Sequence, residues 1–291
     1  MRIRELGRVS GRMLLFGAPY ANLFAMEALF EAMVDLRVSR RAMLCTGDVM
    51  GIGAAPAATY EMLREAGVPI VKGDCDAHVA WSGTDVCQGL DPGPQGAKRT
   101  EAWHAHAMTE VPKPVRERLA LLPDHIRFQH GQRRYVAIHG GAQRRTALLW
   151  RTLGDEVFRA EIEALRSQHG NFDGVICGHS GLPFERQIDG VRWINVGAAG
   201  LPANDGTQST RFVTLETNGQ AITHRLAYDH HAARKSMIDA GLVQGHHDTI
   251  LTGVWPAQLK LPPALRYDHA VPGADSVQEP TPKDDAQARS A

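Results

Sequence analysis

The 291-residue chain is short of cysteine, of net charge and of long apolar runs. Its four cysteines, Cys45, Cys75, Cys87 and Cys177, form no C-x-x-C pair. A reduced, cytoplasmic protein is the expectation from that pattern. Cys45 and Cys177 lie in apolar runs and read as buried small hydrophobes. Lys and Arg number 32, balanced by 32 Asp and Glu, for a formal net charge of zero. Bulk electrostatics therefore give no nucleic-acid or membrane footprint. No run approaches the length of a membrane-spanning helix. The basic start (Arg2, Arg4, Arg8, Arg12) precedes only Met13–Phe16, too brief an apolar run for a signal peptide. There is no internal repeat.

What the chain does hold is a 43% hydrophobic fraction, enough for one well-buried domain. Met13–Phe16, Ala42–Thr46 and Val68–Lys72 read as strands. Helical spacing lies between them: Leu23, Met26, Leu29 and Phe30, continued by Met33 and Val34, share a face of 22–36, and a second helix spans Thr59–Ala66, ended by Gly67. Strand, helix, strand, helix, strand predicts a parallel α/β sheet with its chemistry at the carboxyl ends of the strands. Residues 77–130 are expected to cap the mouth of the site. There 81–99 reads as a long loop, and 102–110 and 113–122 as helices. A strand at 134–139, a helix over 146–168 broken near Gly154, and a strand at 174–177 follow. Asp189-Gly190 and Asn218-Gly219 each mark a hairpin turn. A closing helix spans 230–241. The domain is expected to cover 1–271, with 272–291 a disordered tail of Pro, Asp, Gln and Ser.

Four short motifs fall at predicted strand ends: Gly47-Asp48, Gly73-Asp74-Cys75-Asp76, His139-Gly140 and Gly178-His179. Each alone is common. Together they place carboxylates and imidazoles, the donors that hard-to-borderline divalent ions accept, where loops aim them into one crevice. The neighbouring glycines permit the backbone bends and close approach such a crevice needs.

On these motifs, with Ile194-Asn195-Val196-Gly197 and Tyr228-Asp229, the chain resembles the calcineurin-like metallophosphoesterase superfamily, in its small bacterial phosphodiesterase-like branch, over roughly residues 12–242. The resemblance implies a metallophosphoesterase-type α/β fold, a β-sandwich flanked by helices, and two metal ions bridged by one Asp. The bridging Asp falls on Asp48, and the other ligands of the second metal fall on Asp74 (an Asn in the family), His139 and His179. The first metal's own ligands fall on Ala18, Tyr20 and Gly181 in the segments Gly17–Asn22 and Gly178–Gly181. Ala18 and Gly181 offer no side-chain donor. The resemblance thus implies one divalent ion (Mn, Fe or Zn) held by Asp48, Asp74, His139 and His179. The opposed reading is a vestigial site whose polar groups bond one another.

One ion gives up half of the two-metal clamp on a phosphoryl displacement. The expectation is a metal-dependent phosphoester hydrolase of low or altered activity acting on a small phosphorylated substrate. Its rival is an inactive relative that binds a phosphorylated ligand or a protein partner. A third reading, a dinuclear enzyme, needs replacement ligands such as His78 or a cap histidine. Cys75 stands where many family members place a leaving-group His, and is either a catalytic thiol or a filler behind Asp74. Asp76 is expected to orient a neighbour or cap a turn. Tyr20 is expected to plug the vacated half or donate to a bound anion. Arg144 and Arg145 are either a phosphate contact or a solvated helix start. The pairs His230-His231 and His246-His247 are expected at the surface.

Overall fold

The computed structural model describes residues 1–81 and 94–267. The tail at 272–291, Cys87 and most of the expected 81–99 loop lie outside the described residues. Within them, ten strands form two sheets.

The smaller sheet has the order β10-β9-β2-β3, from β2 (Met13–Phe16), β3 (Met43–Cys45), β9 (Thr210–Leu215) and β10 (Ala221–Leu226). β2 and β3 run parallel, and Cys45 continues to Ile70 in a single parallel bridge. The third strand expected at 68–72 is therefore one bridge rather than a full ladder. The larger sheet has the order β1-β4-β5-β6-β8-β7: β1 (Ile3–Val9), β4 (His125–His130), β5 (Arg133–Ala137), β6 (Gly174–Cys177), β7 (Phe184–Ile188) and β8 (Val191–Asn195). β5, β6 and β8 run parallel to one another.

Alternation along these strands divides their side chains between two faces. Tyr135, Ala137, Ile176 and Ile194 join Leu14, Phe16 and Phe212 in the core between the sheets. Val136, Ile138, Val175, Cys177 and Trp193 point the other way, onto Phe158, Ile162 and Leu165 of α6 (Asp155–His169). This is the expected helix-flanked sandwich. α1 (Leu23–Asp35) starts at Asn22, whose side chain caps Ala25 N at 3.1 Å. It buries Ala25, Met26, Leu29 and Met33, while Val34 is exposed.

α2 (Pro56–Glu65) is followed by α3 (Asp74–Trp81), α4 (Pro94–Glu110) and α5 (Lys113–Ala120). α7 (His230–Asp239) and α8 (His246–Thr252) close the chain. Several boundaries differ from the sequence reading. α4 begins at Pro94, well before residue 102. Residues 146–154 are turns and extended chain, and α6 starts only after Gly154, with Asp155 and Glu156 in its first turn. β1 and β4 were not expected. Charged and polar residues are interleaved along them, so neither shows an apolar run. The Asp189-Gly190 turn is the two-residue hairpin predicted, with φ of 47° and 83°.

Candidate metal centre

The site lies where the carboxyl ends of the two sheets meet. From the small sheet, the loop after β3 carries Asp48, and the extended segment beside β3 runs through Gly73 into α3, which begins at Asp74. From the large sheet, the chain leaving β5 carries His139, and the loop after β6 carries His179. Backbone bonds tie these loops together. Thr46 N donates to Phe16 O at 2.8 Å, Gly178 N to His139 O at 2.7 Å, and Tyr20 N to Asp48 O at 3.0 Å.

Tight backbone geometry delivers the side chains. Asp48 and His179 sit in the left-handed region, at φ 58° and 61°, where non-glycine residues are uncommon and often functional. Two glycines are sterically required. A Cβ at Gly73 would overlap the backbone nitrogen and the carboxylate of Asp48. One at Gly47, itself at φ 102°, would lie 2.6 Å from Gly73 N.

Asp48, Asp74, His139 and His179 are all buried, and each offers one donor atom within 4.8 Å of the others. His139 is at the centre. Its Nδ1 lies 2.6 Å from Thr46 O. A carbonyl only accepts, so Nδ1 carries the hydrogen. Its Nε2 then faces Asp74 Oδ1 at 2.9 Å, His179 Nδ1 at 3.1 Å and Asp48 Oδ2 at 3.3 Å. His179 Nδ1 is also 3.1 Å from Asp74 Oδ1.

Lone pairs so arranged repel unless positive charge stands among them. The same proximity shifts the protonation of the centre. Burial pushes His139 down, but the carboxylates of Asp48 and Asp74 outweigh it and hold the imidazole well above its ordinary range. Burial pushes Asp74 up, but His179 and His139 outweigh it and hold the carboxyl well below its ordinary range. Two carboxylates and two imidazoles, one imidazole oriented by a backbone carbonyl, fit a divalent cation.

Asp76 does not join them. Fully buried, it accepts from Asp48 N at 3.0 Å and Gly73 N at 2.9 Å through Oδ2, and from Met50 N at 2.9 Å through Oδ1. It orients the ligand loops, as expected. Burial and the Asp48 charge raise its pKa to about 6, against the bonds from Met50 and Gly73. Cys75 N donates to Asp48 Oδ1 at 3.0 Å. The Cys75 side chain is buried and lines the cleft over the ligands.

Where the first metal's ligands would fall, aromatic rings stand close against the backbone. Ala18 is 1% exposed and carries no donor. A Cβ at Gly181 would meet the Trp255 indole at 3.2 Å. Tyr20 packs on Gly51, whose Cβ would lie 2.6 Å from its ring. Trp255 has no partner in the sequence reading, because it is distant in the chain and follows an unremarkable helix.

The remaining candidates scatter. Arg145 pairs with Asp124 at 2.8 Å, and Arg144 is exposed, so neither lies in the cleft. Arg99 of α4 does line it, and its Nη1 donates to Gln244 O at 3.1 Å. His78 and His104 stack on each other at 3.9 Å and are not part of the ligand group, and His106 meets Ala54 O at 2.9 Å. His231 is exposed as expected, but His247 is buried and His246 lines the cleft, contrary to expectation.

Comparison with solved structures finds the same fold in distant chains. A hypothetical protein from Pyrococcus horikoshii OT3 matches with a TM-score of 0.71 at 13% identity, over 84% of this chain and 99% of that one. A metallophosphoesterase from Sphaerobacter thermophilus matches with a TM-score of 0.66 at 21% identity, over 84% of this chain and all of that one. No curated protein matches. The family model for the calcineurin-like phosphoesterase superfamily domain matches residues 21–220, which include all four donors. The chain belongs to the calcineurin-like phosphoesterase superfamily.

Proposed function

We propose that this chain is a metal-dependent phosphoester hydrolase working with a single divalent ion, Mn, Fe or Zn, and of low or altered activity. The observation that carries the reading is the convergence of Asp48, Asp74, His139 and His179 around one point, with His139 Nε2 aimed at two carboxylates. A divalent ion there supplies Lewis-acid polarisation of a phosphoryl oxygen and a lowered pKa for bound water.

The chain's own residues do the rest. Thr46 O holds the hydrogen on His139 Nδ1 and so keeps Nε2 available to the centre. Asp74, in place of a neutral amide, adds a negative charge, which tightens cation binding and weakens the cation as a Lewis acid. Cys75 lines the cleft next to Asp74 in the chain, and in this reading its thiol exchanges a proton with the departing oxygen. Arg99 adds positive charge to the same wall, suited to an anionic substrate. The substrate in this reading is a small phosphorylated molecule. Among the described residues, no helix is long and apolar enough to cross a membrane.

A second reading is favoured by one observation: Trp255 and Tyr20 line the cleft beside the four donors, where no second set of metal ligands stands among the described residues. In it, the chain binds a phosphorylated ligand or a protein partner in this cleft and does not turn it over. Turnover of p-nitrophenyl phosphomonoesters and diesters by metal-loaded protein separates the two. In the hydrolase reading, turnover depends on added metal and falls at least a hundredfold in Asp48→Asn and His139→Ala, on the order of the loss of one preorganised catalytic interaction. Equal rates in wild type and both variants contradict it. Stabilisation by phosphorylated ligands with no turnover supports the binding reading.

A further inference from the structure

We propose that the half of the centre without metal ligands serves as an aromatic subsite, and that the chain takes phosphate esters whose organic group is a planar aromatic ring. The inference rests on the phosphoester reading above and specifies its substrate class.

Trp255 stands at the place the missing ligand would occupy. Its Cζ2 and Cη2 lie 3.2 Å from a Cβ built on Gly181. The ring is fixed: Nε1 donates to Pro202 O at 2.7 Å, and the backbone nitrogen donates to Asn204 Oδ1 at 2.8 Å. Tyr20, at φ 50°, is held in the left-handed region with its ring against Gly51. That strained conformation persists because the surrounding loops impose it. Trp103 reaches the cleft from α4. Arg99 precedes it by four residues, so the two share a helix face.

All three aromatic rings line the one cleft that also exposes Asp48, Asp74 and His179. Such a wall cannot replace a cation. Trp103 and Trp255 are themselves buried, and the parts of the rings that reach the cleft offer aromatic surface, which a planar aromatic group matches by offset or edge-to-face contact and a saturated ring does not. The phosphate of such an ester lies toward the carboxylate–imidazole end, and Arg99, with its planar guanidinium, lines the same cleft. The family's lost ligands are thus replaced by residues that recognise the organic half of the substrate.

Two phosphonates, neither of them hydrolysable, test this: phenylphosphonate and cyclohexylphosphonate, equal in charge and similar in size. Each is titrated calorimetrically into metal-loaded full-length protein, and metal content is measured on the same samples. Phenylphosphonate is expected to bind about fivefold to tenfold more tightly. The preference should shrink to less than about twofold in Trp255→Leu and Trp103→Leu, and survive in Trp255→Phe. Should Trp255→Leu fail to fold, Trp103→Leu carries the comparison. Equal affinity of the two phosphonates for wild type, or binding of neither, overturns the subsite. The ratio of affinities reads the subsite, and the metal count reads the centre. A protein that holds its ion but shows no aromatic preference therefore defeats this inference and leaves the phosphoester reading standing.

Discussion

Replacing Asp76 by Asn tests how the ligand loops are held. Asp76 is fully buried, and its two oxygens accept three backbone N–H groups, two at Oδ2 and one at Oδ1. An Asn keeps one oxygen. Turned to serve Asp48 N and Gly73 N, it presents its NH2 group to Met50 N, where two donors then meet. A buried donor left without an acceptor costs about 1–3 kcal/mol. Set against this, the variant removes a buried charge that stands next to Asp48. Since burial and that neighbour push the Asp76 pKa up to about 6, part of the charge cost is relieved in the variant. The net expectation is a loss of about 1–2 kcal/mol, which for a chain of this size lowers Tm by roughly 2–6 °C. Asp76→Ala removes both acceptor oxygens, leaves three N–H groups without them, and should cost about 3 kcal/mol or more. The assay is thermal unfolding of metal-free and metal-loaded protein. The Asn variant should also need at least several-fold more metal to reach half-saturation, because Asp48 is hung from Asp76. Unchanged Tm and unchanged metal affinity in Asp76→Ala would refute the claim that this carboxylate supports the loop.

Gly73→Ala should abolish metal binding, read by elemental analysis, because the added Cβ overlaps both the nitrogen and the carboxylate of Asp48. It should also cost stability, whereas Gly67→Ala, an open position at φ 71°, should cost about 1 kcal/mol and leave metal content unchanged. His125 is buried beside His169, its Nδ1 2.8 Å from His169 Nε2, and burial followed by the His169 charge lowers its pKa to about 4. In the unfolded chain it titrates near 6.5, so between about pH 4 and 6.5 the unfolded state binds more protons. Stability from this group is therefore present above about pH 6.5 and is lost as pH falls toward about 4, by about 2 kcal/mol after allowance for its partial exposure. His125→Asn should flatten that slope in denaturant titrations across the window, and an unaltered slope contradicts the assignment. Restoring Ala18→Asp, Tyr20→His and Gly181→His together should not add a second ion, since Trp255 occupies the contact position at Gly181. A second equivalent of metal in that triple variant would show that the half-site is open.

Much of the centre was legible in the chain because its ligands announce themselves locally. A strand run followed by Gly-Asp, His-Gly or Gly-His points to both the residue and its place at a strand end, and Asp48, His139 and His179 follow β3, β5 and β6 accordingly. Asp74 was legible as a residue, but its setting at the first turn of α3 was not, since Asp-Cys-Asp-Ala-His has no helical apolar stripe. The partners of the lost half were invisible for a different reason. Trp255 reaches Gly181 across more than seventy residues, and nothing in its neighbourhood has a periodicity that predicts the contact. β1 and β4 escaped because Arg, Glu, His and Gln are interleaved along them, leaving no run of apolar residues to read. Residues 146–154 read as the start of a helix, yet Leu149 packs toward α6 and Trp150 belongs to the main core cluster. Each is placed by tertiary contact rather than by helix periodicity. The histidines show the limit of residue type alone: His246 lines the cleft while His78 and His104 stack beside it.

The proposed centre holds one divalent ion among Asp48, Asp74, His139 and His179. Its most direct test is the metal stoichiometry of full-length protein reconstituted separately with Mn, Fe and Zn, measured by elemental analysis beside Asp48→Asn. Close to one ion per chain is expected in the wild type, with that ion lost in the variant. Two ions per chain, or none, would contradict it.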